Sequence, residues 1–141
     1  MVRNLSAILV ASVALLAPHQ AAAIDDLTQG SVLYQEHCAS CHGVRLEGQE
    51  NWREQNPDGT MRAPPHDDTG HTWHHADELL RDYISFGGEE TLRQMGVMGV
   101  KSGMPGFADA LSDDEVTLIL NFIKASWSER AANYQSQITE Q

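Results

Sequence analysis

Cysteine is scarce in this chain of 141 residues, which has two, Cys38 and Cys41. A framework of several disulfides is excluded, so whatever these thiols do they do as one local pair. Positive charge is scarce as well. Lys and Arg number 9 against 20 Asp and Glu, for a formal net charge of −11, which argues against the phosphate backbone of nucleic acid or an anionic lipid surface as a target. A basic or neutral partner fits better. Long apolar runs are also missing: residues 5–17 (LSAILVASVALLA) fall short of the roughly 20 residues needed to span a bilayer. What remains, 41% hydrophobic and 21% charged, is the composition of a folded globular chain with room for one domain.

Residues 1–23 read as a secretory signal peptide. Arg3 supplies the positive start, residues 5–17 the apolar stretch, and Ala21, Ala22 and Ala23 the small side chains that signal peptidase requires. Pro18 and Gln20 follow the apolar run closely, which weighs against an uncleaved membrane anchor. Cleavage after Ala23 leaves 118 of the 141 residues and removes one of the 9 basic side chains, so 8 face 20 acids and the mature formal charge is −12. The expected setting is periplasmic or otherwise exported, and oxidising, where a C-x-x-C pair left to itself tends to close as a disulfide.

The pair is not left to itself, because the segment reads Cys38-Ala39-Ser40-Cys41-His42. Two residues between the thiols let both reach the vinyl groups of one porphyrin from a single helical turn, and the next side chain, His42, is directed at the iron. This is the c-type haem attachment signature. Two blander readings fail on context. A thioredoxin-like pair wants a βαβ setting, and half of a zinc site wants two further ligands, usually cysteines, at matching spacing.

Downstream of His42 the available thioethers are Met61, Met95, Met98 and Met104. Loop chemistry favours Met104 as the sixth iron ligand. Gly103 and Gly106 relax the backbone around it and Pro105 stiffens the approach, so the sulfur is presented from a turn. Met95 and Met98, three apart in QMGVMGVKSG, have the spacing of packing residues. Met98, Met95, a histidine and an open site stand as alternatives.

Helical spacing predicts a helix over 26–37, leading into the CASCH turn. Gly30 inside it costs about 1 kcal/mol relative to Ala, which points to another helix crossing closely there. The natural candidate is the helix predicted over 113–128, where Ser112 and Glu115 form a capping box and Val116, Ile119, Leu120, Ile123 and Trp127 follow at helical spacing. A third helix is predicted over 76–86, with Leu79, Leu80, Tyr83 and Ile84 on one face and Gly87-Gly88 as its stop. Residues 48–75 read as a long ordered loop with turns at Asn56-Pro57-Asp58-Gly59 and Pro64-Pro65. The domain is expected over 24–130, followed by a polar tail over 131–141 that frays.

With its signal peptide, one CASCH motif early in the mature region, a late Gly103-Met104-Pro105-Gly106 and a closing amphipathic helix, the chain resembles a monohaem class I cytochrome c over about residues 28–127. The resemblance implies an all-α fold wrapped around one covalently attached haem c. It implies His42 as proximal iron ligand and a later Met, often followed by Pro, as distal ligand. It also implies that the first and last helices cross at a Gly/aromatic contact, here Gly30 against Phe122 or Trp127. A Pro-containing loop whose carbonyl receives the proximal His Nδ1–H is a further implication, with Pro64 or Pro65 in that part. Trp73 would donate to a haem propionate or pack on the porphyrin edge.

Four histidines, His66, His71, His74 and His75, fall within ten residues beside Asp67 and Asp68. A copper or zinc site is the sharp reading, since imidazoles with carboxylates suit those metals; a polar loop whose histidines cap the third helix or bond propionates is the plain one. With His42 and Met104 both on the iron, no open position remains, and one-electron transfer is the expected function rather than catalysis. Protein redox partners with a basic docking surface are expected, with any membrane reached only through such a partner. The rival readings are an oxidoreductase subunit, a sensor or enzyme with an open or labile sixth site, and a cytochrome with an added copper-binding loop.

Overall fold

The computed structural model describes residues 18–141, with side chains described from Asp25 onward. The expected signal peptide lies outside the described residues as far as position 17, and only the backbone of its last six residues is described. The fold is all-α, as expected. Helix α1 spans Pro18–His37, α2 Ala39–His42, α3 Asp77–Phe86, α4 Gly88–Gln94, α5 Asp113–Lys124 and α6 Glu129–Thr139. Two two-residue strands, β1 (Thr60–Met61) and β2 (Lys101–Ser102), pair in parallel, Thr60 opposite Lys101 and Met61 opposite Ser102. A 3-10 turn at Thr72–His74 precedes α3.

The frame of the molecule is the crossing of α1 with α5. Ser112 and Glu115 do form a capping box, the Ser112 N–H donating to Glu115 Oε2 at 2.8 Å. From that start α5 turns Val116, Ile119, Leu120 and Ile123 inward, where they bury against Tyr34 of α1 and Leu80 and Ile84 of α3. Gly30 meets the backbone carbonyl of Leu118, and a Cβ there would also stand 3.1 Å from Phe122 Cβ. The crossing partner is therefore Phe122, not Trp127.

Three expectations are corrected. The helix predicted over 113–128 ends at Lys124: the Ser126 hydroxyl turns back to donate to the Ile123 carbonyl at 2.6 Å, and the Trp127 indole N–H donates instead to the His66 carbonyl at 2.8 Å. The first helix begins at Pro18 rather than 26. The polar tail over 131–141 is not frayed but forms most of α6, which starts where the Ser128 side chain accepts from the Ala131 N–H at 3.3 Å. The residues that α6 buries are Ala131 and Gln135 rather than a stripe of large apolar side chains. Gln135 Nε2 donates to the His75 carbonyl at 3.3 Å, and the Asp77 N–H donates to the Thr139 hydroxyl at 3.2 Å. Polar contacts of this kind hold α6 over the start of α3, where hydrophobic periodicity has nothing to detect.

Candidate functional site

The CASCH turn is α2 with Cys38 as its N-cap. Its helical geometry carries on from α1, with the Cys38 N–H donating to the Tyr34 carbonyl at 2.9 Å and the His42 N–H to the Cys38 carbonyl at 2.9 Å. One turn thus carries both thiols and the imidazole. Neither cysteine is in a disulfide; Cys38 is half-buried and Cys41 exposed. Burial pushes the Cys38 thiol up to about 11, with the neighbouring Cys41 adding to it. That is opposite in sign to the lowered thiol of a C-x-x-C redox pair.

His42 is buried at 7% exposure, and burial lowers its pKa despite an opposing hydrogen bond to Pro64. In that bond its Nδ1–H donates to the Pro64 carbonyl at 2.9 Å. A carbonyl can only accept, so the proton sits on Nδ1 and the lone pair on Nε2 is the one available to a metal. The loop carrying Pro64 is pressed home by two backbone features. Gly48, at φ +68°, lies where a Cβ would fall on the Pro64–Pro65 peptide, and the His66 N–H donates to the Leu46 carbonyl at 2.8 Å. Leu46 is buried at φ +68°, a conformation rare for a side chain of its size.

Met104 is partly buried and packs against the core, as does Cys38. Its loop seats on the Gly87-Gly88 pair that ends α3. A Cβ on Gly87, at φ +84°, would stand 2.9 Å from the Met104 carbonyl, and the Gly88 N–H donates to that same carbonyl at 3.0 Å. On the other side the Met104 N–H donates to Ser102 Oγ at 3.2 Å, and Ser102 belongs to β2, paired with β1 of the 48–75 loop. The other thioethers are placed differently: Met98 is 76% exposed, Met95 54% and Met61 38%. Ser102 and the Gly87-Gly88 seat were not among the sequence-derived site residues. Their signal is the glycine pair, which the sequence presents only as a helix stop.

The four histidines do not form one cluster: His66 sits apart from the other three. His66 stacks on His42 with ring centroids 4.0 Å apart, His71 stacks on Trp52 at 5.2 Å, and His74 lies edge-on to Trp73 at 3.8 Å. His75 meets the edge of His71 at 5.3 Å. Among the described residues no three His, Cys, Asp or Glu side chains converge to hold a metal ion, so the copper or zinc reading gains no support. Trp73 donates to the Asp68 carbonyl at 3.4 Å and lies edge-on to Tyr134 at 5.6 Å.

The donor set present fits a c-type haem: two free thiols and a neutral imidazole on one helical turn, with a core-packed thioether in a separate loop. No curated protein and no solved structure matches the chain. The family model described as Cytochrome C oxidase, cbb3-type, subunit III matches residues 25–123. That match covers most of the chain and agrees with the resemblance to class I cytochromes c, so the chain belongs to this family, whose c-type cytochrome domain implies covalently bound haem c and a haem-based role in electron transfer.

Proposed function

We propose that this chain is an exported one-electron carrier that holds a single haem c through thioethers to Cys38 and Cys41, with His42 as proximal and Met104 as distal ligand. The observation that carries the reading is the 2.9 Å hydrogen bond from His42 Nδ1–H to Pro64 at the end of the CASCH turn. It fixes the tautomer, orients the ring and raises the basicity of Nε2. Bound there, haem c supplies a one-electron Fe(III)/Fe(II) couple, poised higher by a thioether than by a second imidazole.

The chain's own residues bind and orient. Cys38 and Cys41 anchor from one turn, Pro64 orients His42, and Gly87, Gly88 and Ser102 hold the Met104 loop from both flanks. A thioether held in this way leaves electron transfer rather than small-molecule chemistry as the activity. The family description names an oxidase subunit, which supports a membrane oxidase complex as the protein partner. Among the described residues no helix is long and apolar enough to cross a membrane. With acidic side chains outnumbering basic ones 20 to 9 over the whole chain, docking on a basic surface of that partner is steered electrostatically and weakens as salt rises.

Absorption spectroscopy of the holoprotein tests the ligation. The expected result is a low-spin spectrum with the weak long-wavelength band of ferric thioether ligation, lost in Met104→Ala and kept in Met95→Ala and Met98→Ala. A high-spin wild type, or a Met104→Ala protein with an unchanged spectrum, overturns the assignment.

A further inference from the structure

The 48–75 loop places one imidazole flat against another. His66 and His42 have ring centroids 4.0 Å apart and planes 20° apart, although 24 positions separate them in the chain. Nothing about His66 is loose. Its backbone N–H donates to the Leu46 carbonyl at 2.8 Å and its carbonyl accepts from the Trp127 indole at 2.8 Å. Its ring Nδ1 shares a hydrogen bond with the Thr72 hydroxyl at 2.8 Å, and Thr72 is itself buried and donates to the Pro65 carbonyl at 3.4 Å. The Tyr34 ring closes the edge, with centroids 6.2 Å apart and planes at 75°.

The Nδ1–H bond to Pro64 holds His42 at one atom and does not by itself set the rotation of the ring about that bond. A flat neighbour held by Leu46, Thr72, Trp127 and Tyr34 removes the remaining freedom, because rocking the His42 ring drives it into the His66 face. We infer that His66 is a positioning residue for the proximal ligand, its face-to-face stack fixing the plane of the His42 imidazole and with it the reduction potential of the centre that His42 serves. The inference rests on His42 being the proximal ligand.

The test compares wild type with His66→Ala, His66→Phe and Thr72→Val as holoproteins. The readouts are the potential by redox titration and the axial-histidine signals by paramagnetic NMR of the oxidised form. Phe keeps a flat ring but has no Nδ1; Ala removes the ring; Thr72→Val keeps the stack and removes one tether. In His66→Ala the axial-histidine signals are expected to shift and broaden. The ratio of oxidised to reduced protein at a fixed poise is expected to change about threefold or more, which is about 28 mV at 59 mV per tenfold. His66→Phe is expected to restore both readouts most of the way, and Thr72→Val to move them less than His66→Ala does. If His66→Ala and His66→Phe both keep wild-type signals and potential, the inference is wrong. Should His66→Ala fail to fold, a His66→Phe protein as far from wild type in both readouts as an axial-ligand variant is also against it. A wild-type holoprotein with no axial-histidine signal at all would remove His42 from the iron, which overturns the ligand assignment itself.

Discussion

The Leu118 carbonyl of α5 occupies the space a Cβ on Gly30 of α1 would need, with Phe122 Cβ 3.1 Å from that same position. Two helices meet backbone to backbone at that point, and the contact is the pivot of the molecule. Gly30→Ala gains about 1 kcal/mol in helix propensity. The added methyl meets a carbonyl that cannot rotate away, so overpacking of about 1–3 kcal/mol is the larger effect and the helices must separate. A lower denaturant midpoint is therefore expected for the holoprotein variant, with Gly30→Val lower still. A midpoint at or above wild type for Gly30→Ala would show that the crossing tolerates a Cβ.

Gly87 occupies a comparable position for the site. Its φ of +84° suits glycine, and a Cβ would lie 2.7 Å from the Gly106 nitrogen and 2.9 Å from the Met104 carbonyl. Gly87→Ala is expected to push the Met104 loop off its seat while α3, anchored by Leu80 and Ile84 in the core, persists. On the ligation proposed for Met104, the variant loses the long-wavelength thioether band and gains high-spin character with little change in helical circular dichroism. An unchanged absorption spectrum would separate the seat from the ligand.

Much of this was legible in advance, and the misses have physical causes. The CASCH turn, the Ser112–Glu115 capping box and the close approach at Gly30 are local chemistry, readable because each depends on residues within one turn or on a glycine whose helical cost needs a reason. The Pro64 acceptor was legible only through resemblance to a family. The stack of His66 on His42 was not legible, since it arises from a loop folding back across 24 positions; in sequence, His66 instead groups with three neighbouring histidines and imitates a metal motif. Helix α6 was missed because its buried face uses Ala131 and Gln135, whose role depends on Asp77 and the His75 carbonyl being there to receive the amide.

Asp77 should make part of the stability pH-dependent. Burial raises its pKa, but the hydrogen bonds and charge of Lys124 and the amide of Gln135 outweigh this and hold it below its ordinary 3.8. A carboxylate depressed in the folded state stabilises fully above its unfolded pKa, and that contribution disappears as pH falls through the lower folded value. The window is therefore acidic, at and below about pH 4. Asp77→Asn is expected to lower stability at neutral pH by about 1 kcal/mol or less, as suits a partly exposed pair. The gap from wild type should close as pH falls through that window, measured by denaturant unfolding at a series of pH values. A gap that is constant with pH would mean that the carboxylate charge contributes nothing.

The family match ends at residue 123, yet the residues beyond it hold the loop that supports the proximal side. Ser128 N–H donates to Asp68 Oδ1 at 2.9 Å, Gln135 to the His75 carbonyl at 3.3 Å, and Thr139 accepts from the Asp77 N–H at 3.2 Å. Tyr134 lies against Trp73 and His74 at 5.6 and 5.8 Å. Removing residues 128–141 cuts all of these while leaving the Trp127–His66 hydrogen bond and the α1–α5 crossing in place. The expected outcome is local rather than global opening. Amide exchange should accelerate for residues 72–77, at the 3-10 turn and the start of α3, by tenfold or more, about 1.4 kcal/mol of lost protection. Protection in α1 and α5 should change little. Uniform loss of protection across α1 and α5 would instead make α6 part of the cooperative core, and unchanged exchange at 72–77 would show that α6 restrains nothing beneath it.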